Sequence, residues 1–377
     1  MTSATEEVRA RPATRLAFVD NLRVWLTVLV VAHHVALVYG NLPVWPNWEP
    51  PPSPPEGLPL DGLVLLNQAY FMGFFFLLSG FVTPGSLDRK GSTAFAVDRL
   101  RRLGIPFLIF VVALRPLYTL PTYLALPAAD RPPYWSFYLT EADLGPMWFL
   151  EVLLIFALGY VLLRRIRPAR PRPVIKLRAW HVIMFALALG VVSWVWRMVV
   201  PVGTYVPIVG LPSAAYLPQY LSLYVVGVLA YRNDWLRNLP RRAGLLGLGL
   251  IIASVLPMIM LGGYLTLDLV DPPPPSSVAH LGFALWDSLF ALGMITVLLV
   301  LFQRFVTGQG PAARWLAGNA YAVYLVHAPI IVGVAAALHP VALTPVLKFL
   351  IALPVALLLS WLAGSLLRRL PGLRSVL

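Results

Sequence analysis

Apolar runs close to twenty residues long recur along the chain, separated by short segments rich in proline, glycine and charge. Each run is long enough to cross a hydrocarbon layer of roughly 30 Å as a helix. The pattern predicts ten spans. The first six are Leu22–Gly40, Leu60–Val82, Leu103–Leu124, Met147–Leu163, Trp180–Val200 and Ala214–Tyr231. Leu245–Tyr264, Leu281–Phe302, Ala320–Leu338 and Leu343–Leu366 complete the set. The fold class that follows is all-α, a polytopic membrane protein. Residues 1–15 lack such a run and read as a disordered cytoplasmic tail, leaving 16–377 as one membrane domain. Composition agrees: 59% of the 377 residues are hydrophobic, 12% are charged and the mean hydropathy is +0.77. A soluble domain of this size needs more charge to cover its surface.

The net charge of +13 first suggests a nucleic-acid partner, but the placement of the charges argues against one. With the N-terminus cytoplasmic, 24 of the 29 lysines and arginines fall in the inside segments or at the C-terminus. Arg131 lies in an outside loop, while Arg23, Arg115, Arg197 and Lys348 sit within or at the ends of spans. This is the positive-inside bias, so the basic excess reports topology. It predicts that both termini face the cytoplasm across the cell inner membrane. The first apolar run contains His33 and His34 and lacks a clear small-residue cleavage site, so it reads as a retained span. There are no cysteines, which excludes disulfides and thiolate metal sites.

Two proline-rich stretches interrupt the short outside loops. Residues 41–59 are expected to be extended, with Trp45 and Trp48 at the membrane interface. Pro272–Pro275 follows Asp268 and Asp271. Either loop reads as a stiff connector or as the border of an acceptor entrance.

Ionisable groups inside spans need a pairing or a function. In the first span Arg23 and His34 are eleven residues apart, about 20° off a whole number of turns and roughly 16 Å along the axis. Asp20 and Thr27 share their stripe. A cation at the cytoplasmic mouth and a deep imidazole would then face one cavity, suited to a long anionic donor. A histidine removed from water favours the neutral form that a general base requires. The competing reading has His34 bonding a neighbouring helix and Arg23 snorkelling to headgroups.

Further candidates come from other spans. Ser79-Gly80 permits close backbone approach. Arg99, Arg101 and Arg102 precede Pro106 and suit an anionic nucleotide, although topology alone also accounts for them. Glu151 is an acid within an apolar run, and Asn319, Tyr324 and His327 share the ninth span. Arg115 and Arg197 lie toward the outer ends of their spans and are expected to snorkel, with a sugar site as the other reading. Asp287 is open between the same two roles. No metal-ligand spacing, phosphate-cradling glycine loop or nucleophile elbow occurs, which counts against hydrolases and ATPases.

Four segments together carry a likeness. They are Asp20-Asn21-Leu22-Arg23 with His34, FFFLLSGF at 74–81, RLRRLGIPF at 99–107 with MWFLEVLLIF at 147–156, and GNAYAVYLVHAPI at 318–330. In this order they resemble the acyltransferase 3 family of integral membrane acyltransferases, near its osmoregulated-glucan succinylation branch. The resemblance implies a ten-helix core that takes acetyl, succinyl or similar groups from acyl-CoA to a glycan or other carbohydrate-like hydroxyl. It implies no tightly bound cofactor. Arg23 and His34 match the family's paired first-helix residues, and Arg99 with Arg102 its Arg-x-x-Arg element. Asn21 departs from the glycine common after the first-helix aspartate.

The reading that follows has His34 as base, or as carrier of a transient acyl group, with direct attack preferred. Arg23, Glu151 and His327 join it as catalytic candidates. Asp20, Ser79, Arg99, Arg102, Asn319 and Tyr324 are substrate-binding candidates. The rival class is a transporter or flippase for a lipid-linked sugar or acylated product. Its expected sign, repeated halves with matching broken helices, is not found.

Overall fold

The computed structural model describes residues 16–377 except 43, 47, 50–51, 141–142, 168–173, 207–209, 261–273 and 275. The tail assigned to 1–15, Tyr264, and Asp268, Asp271 and most of the second proline tract lie outside the described residues. Among the described residues, ten helices are long and apolar enough to cross a membrane. They are α1 (Ala17–Tyr39), α2 (Pro55–Lys90), α3 (Ser92–Ala125), α4 (Tyr134–Ile166) and α5 (Ala179–Val199). The rest are α6 (Ala214–Arg232), α7 (Arg241–Ile259), α8 (Val278–Phe305), α9 (Pro311–Leu338) and α10 (Pro345–Leu367). The protein is all-α, each expected span falling on one of these helices.

Helix α1 packs against α2, α8, α9 and α10, and so lies at the centre of the bundle. Helices α5 and α7 bury the smallest share of their residues among the ten, as lipid-facing elements do. Helix α6 runs along α2 with backbones touching. A Cβ on Gly80 would overlap the Tyr224 carbonyl, and one on Gly227 would overlap that of Leu77. Such small residues let helices approach where no hydrophobic force drives them together. This is what the Ser79-Gly80 pair does.

Two local features shape the site. Helix α3 contains π-helical turns at Leu100–Gly104 and Phe110–Leu114, on either side of Pro106. Proline lacks the amide hydrogen that an α-ladder needs, and a widened turn absorbs the break. The second feature corrects an expectation. Residues 54–59 are helical, because the helix that forms α2 begins at Pro54, and Pro54 and Pro55 take its first positions, where amide hydrogens have no partner anyway. The extended loop is therefore shorter, ending near Ser53. It is pinned at one end by Asn41, whose amide and side chain both donate to Asp61 (2.9 and 2.6 Å). Near the other end Lys348 Nζ lies 2.9 Å from both Glu49 oxygens.

Arg115 and Arg197 are buried, against the snorkelling expected for them. Arg115 donates to the carbonyls of Asp143 (2.7 Å) and Tyr138 (3.1 Å) and lies over the Tyr138 ring. Arg197 forms a fully buried ion pair with Asp287, which Gln219 also approaches at 3.3 Å. The rings of Tyr216 and Phe283 face the same guanidinium. Both arginines stay inside because partners distant in sequence hold them there, the Asp143 and Tyr138 carbonyls for Arg115 and the Asp287 carboxylate for Arg197, although Arg197 leaves Nε and Nη1 buried without a hydrogen-bond partner.

Candidate active site

Two cavities enter the bundle from opposite ends of α1. The first, of about 390 Å³, is lined at its mouth by Arg23, Arg99 and Arg102 and further in by Ser79, Phe75, Leu150 and Tyr321. The second, of about 510 Å³, is lined by His33, His34, Trp45, Trp148, Tyr205 and Tyr216 among others. Val30, Met72 and Tyr324 line both, so the cavities meet at these three residues. The single shared cavity expected for Arg23 and His34 is thus divided. Arg23 and Thr27 line the first part and His34 the second, with Val30 one turn before the histidine on the same stripe.

The basic mouth is built from three elements. Arg99 and Arg102 are one turn apart on α3 and line the same cavity, whereas Arg101 is not part of its wall. Arg102 Nε is 3.2 Å from Asp98 Oδ1, and Lys90 Nζ is 2.8 Å from the other oxygen. The Arg99 guanidinium lies over the Phe95 ring, and its buried Nε has no protein partner. Tyr321 of α9 donates to the Arg102 carbonyl at 2.5 Å and ties α9 to the widened turn of α3. Asp20 is 4.0 Å from Arg23 and also accepts from Gln309 (3.4 Å). It is a buried neighbour of the arginine and not part of the cavity wall. Asn21 donates to the carbonyls of Val306 and Gly308, fixing the start of α1 against the segment between α8 and α9.

One turn beyond the meeting point, His34 in the wall of the second cavity pairs with His327, which is buried and lines neither cavity. His327 Nε2 lies 3.0 Å from His34 Nδ1, and His327 Nδ1 lies 2.7 Å from the Tyr324 carbonyl. A carbonyl only accepts, so His327 carries its proton on Nδ1. In the neutral ring Nε2 is then an acceptor, and His34 must donate from Nδ1. His34 Nε2 is left with a free lone pair, the atom a general base uses. Tyr324 donates its hydroxyl to the Pro146 carbonyl, which holds its ring in the wall of both cavities.

Several residues of this centre carry no signal in sequence. Trp45, expected at the membrane interface, turns inward. It is buried and stacks on His34 with centroids 4.1 Å apart, its edge against Tyr118. The loop pinned at Asn41 and Glu49 holds it there. His33 stacks on Phe71 and leaves Nδ1 buried without a partner. Asp143 accepts from Tyr118 (2.9 Å) and from the Gly145 amide (2.7 Å), ordering the break in α4 that precedes Trp148.

Of the remaining candidates, Ser79 lines the first cavity. Asn319 is buried, donates to the Trp315 carbonyl (2.8 Å) and accepts from Arg368 (3.2 Å), and it is absent from both cavity walls. Glu151 is likewise absent from both walls, and one of its oxygens is buried without a partner.

Comparison with known proteins agrees with this architecture. The acyltransferase 3 family, described as an acyltransferase domain, matches residues 16–365. Proteins named glucans biosynthesis protein C, from Salmonella schwarzengrund (strain CVM19633) and Salmonella agona (strain SL483), are each 24% identical over 391 residues. The match covers 96% of this chain and 94% of theirs. No solved structure matches the chain.

Proposed function

The chain belongs to the acyltransferase 3 family, and from that premise we propose that it moves an acyl group from acyl-CoA to a glycan hydroxyl, with His34 as base. The carrying observation is His34 in the wall of the second cavity, one helical turn beyond the Val30 junction and paired with the buried His327. The arginine-lined cavity opens on the face that the positive-inside bias assigns to the cytoplasm. Its three guanidiniums suit the phosphates of CoA, which carry several negative charges. The aromatic cavity on the opposite face suits a sugar, whose apolar ring faces stack on tryptophan and tyrosine. The relatives' name points to a glucan as the acceptor. An inner-membrane location follows from the same orientation.

In the reaction, His34 Nε2 accepts the proton of the acceptor hydroxyl as its oxygen attacks the thioester carbonyl. The carbon–sulfur bond breaks, and the proton passes from His34 to the departing CoA thiolate. An ester and free CoA result, with no redox change. His327 keeps Nδ1 of His34 protonated and its ring oriented, in the role a third group plays in hydrolytic triads. Tyr324 and Met72 form the wall past which the acyl group moves.

The test uses purified protein in nanodiscs, acyl-CoA and a soluble oligoglucan. Release of free CoA with a matching mass increment on the glucan supports the proposal. Movement of glucan across a sealed bilayer without ester formation supports a transporter instead.

A further inference from the structure

We propose that the transferred group is a short uncharged acyl group, and that donors ending in a free carboxylate, such as succinyl-CoA, are poor substrates. This rests on the reading of His34 as base and of the arginine-lined cavity as the donor site. Its ground is how charge is distributed along the two cavities. The cavity-lining cations stand at one end, on Arg23, Arg99 and Arg102. Arg23 is eleven helical residues, roughly 16 Å, from His34. With CoA phosphates at the arginines and the thioester at His34, the acyl tail lies at or beyond the junction.

There the tail meets Val30, Met72, Phe149, Leu150 and Tyr324. Among the described residues no lysine or arginine lines the second cavity, and its one acidic residue is Asp143. The cations of that half lie outside the cavity wall. Arg115 serves the Asp143 and Tyr138 carbonyls, Lys348 is paired with Glu49, and Arg197, whose charge Asp287 neutralises, is buried behind the wall with Nε and Nη1 unpartnered. Arg131 donates to the carbonyls of Leu124 and Leu126. The segments of that face outside the described residues contain no lysine or arginine either.

A free carboxylate at the junction would therefore lose water and gain no fixed cation, which is strongly unfavourable. The imidazoles are the groups in reach that can become cationic. An imidazolium at His34, however, can no longer take the hydroxyl proton. Acetyl or propionyl meets none of these costs.

The experiment gives the full chain in nanodiscs equal concentrations of acetyl-CoA, propionyl-CoA or succinyl-CoA with the oligoglucan, and reads free CoA and product mass. Acetyl and propionyl esters are expected to form, with succinyl transfer slower by about a hundredfold or more. Succinyl transfer as fast as acetyl transfer overturns the inference while leaving acyl transfer standing. No transfer from any donor overturns the acyl-transfer reading, and this inference with it. Met72→Lys puts a cation where the cavities meet and is expected to move the succinyl-to-acetyl ratio upward about tenfold. An unchanged ratio in folded Met72→Lys protein counts against the inference. Should that variant fail to fold, the unmodified protein's ratio still decides.

Discussion

His34 and His327, 293 residues apart in the chain, meet nitrogen to nitrogen at 3.0 Å behind the wall of the second cavity, which His34 lines. The Tyr324 carbonyl orients one ring, that ring orients the other, and the outcome is a lone pair on His34 Nε2. A chain of fixed partners of this kind does for a base what packing alone does not.

His327→Phe removes the acceptor for His34 Nδ1 while keeping an aromatic volume. Turnover is expected to fall about a hundredfold, with KM for acyl-CoA nearly unchanged. His327→Gln, which can still accept, is expected to recover part of the loss. Steady-state kinetics on both variants checks this, and equal effects on kcat and KM would point to a packing role.

Arg99→Gln and Arg102→Gln each remove one charge-assisted contact to phosphate. Each is expected to raise KM for acyl-CoA about tenfold, with kcat little changed. The effect should shrink in high salt, because the mouth is open to solvent. Competition with free CoA across a salt series measures it.

Trp45→Ala uncovers the face of the His34 ring. Loss of aromatic stacking is expected to raise KM for the glucan about fivefold. Acyl-CoA hydrolysis without acceptor should rise, since water then reaches the thioester. Trp45→Phe should fall between. Free CoA measured with and without glucan separates the two effects.

Arg197→Met leaves Asp287 buried without its cation and is expected to cost about 3–5 kcal/mol of stability. The double variant Arg197→Met with Asp287→Leu is expected to recover most of it. Thermal unfolding in detergent reads both, and a double variant as unstable as the single one would contradict the pairing account.

The ten spans were legible because hydrocarbon thickness and internal hydrogen bonding leave so few ways to cross a membrane. The stripe of Arg23, Thr27 and His34 was legible too, since helical periodicity alone puts them on one face. What stayed hidden depends on distant partners. Arg197 reads as a snorkelling residue until Asp287, ninety positions later, is brought beside it. Asn319 reads as a polar candidate until Arg368 is seen to use it. Trp45 sits in a proline-rich loop with no periodicity to give its direction, and only the anchors at Asn41 and Glu49 turn it onto His34. His327 was a candidate by type, but its pairing belongs to the packing of α9 on α1.

The most direct test replaces His34 with Ala or Gln in protein shown to insert and to bind CoA normally, and follows ester formation on the glucan. The account predicts that transfer falls to background in both variants while CoA binding stays within about twofold. Full transfer by folded His34→Ala protein would contradict it.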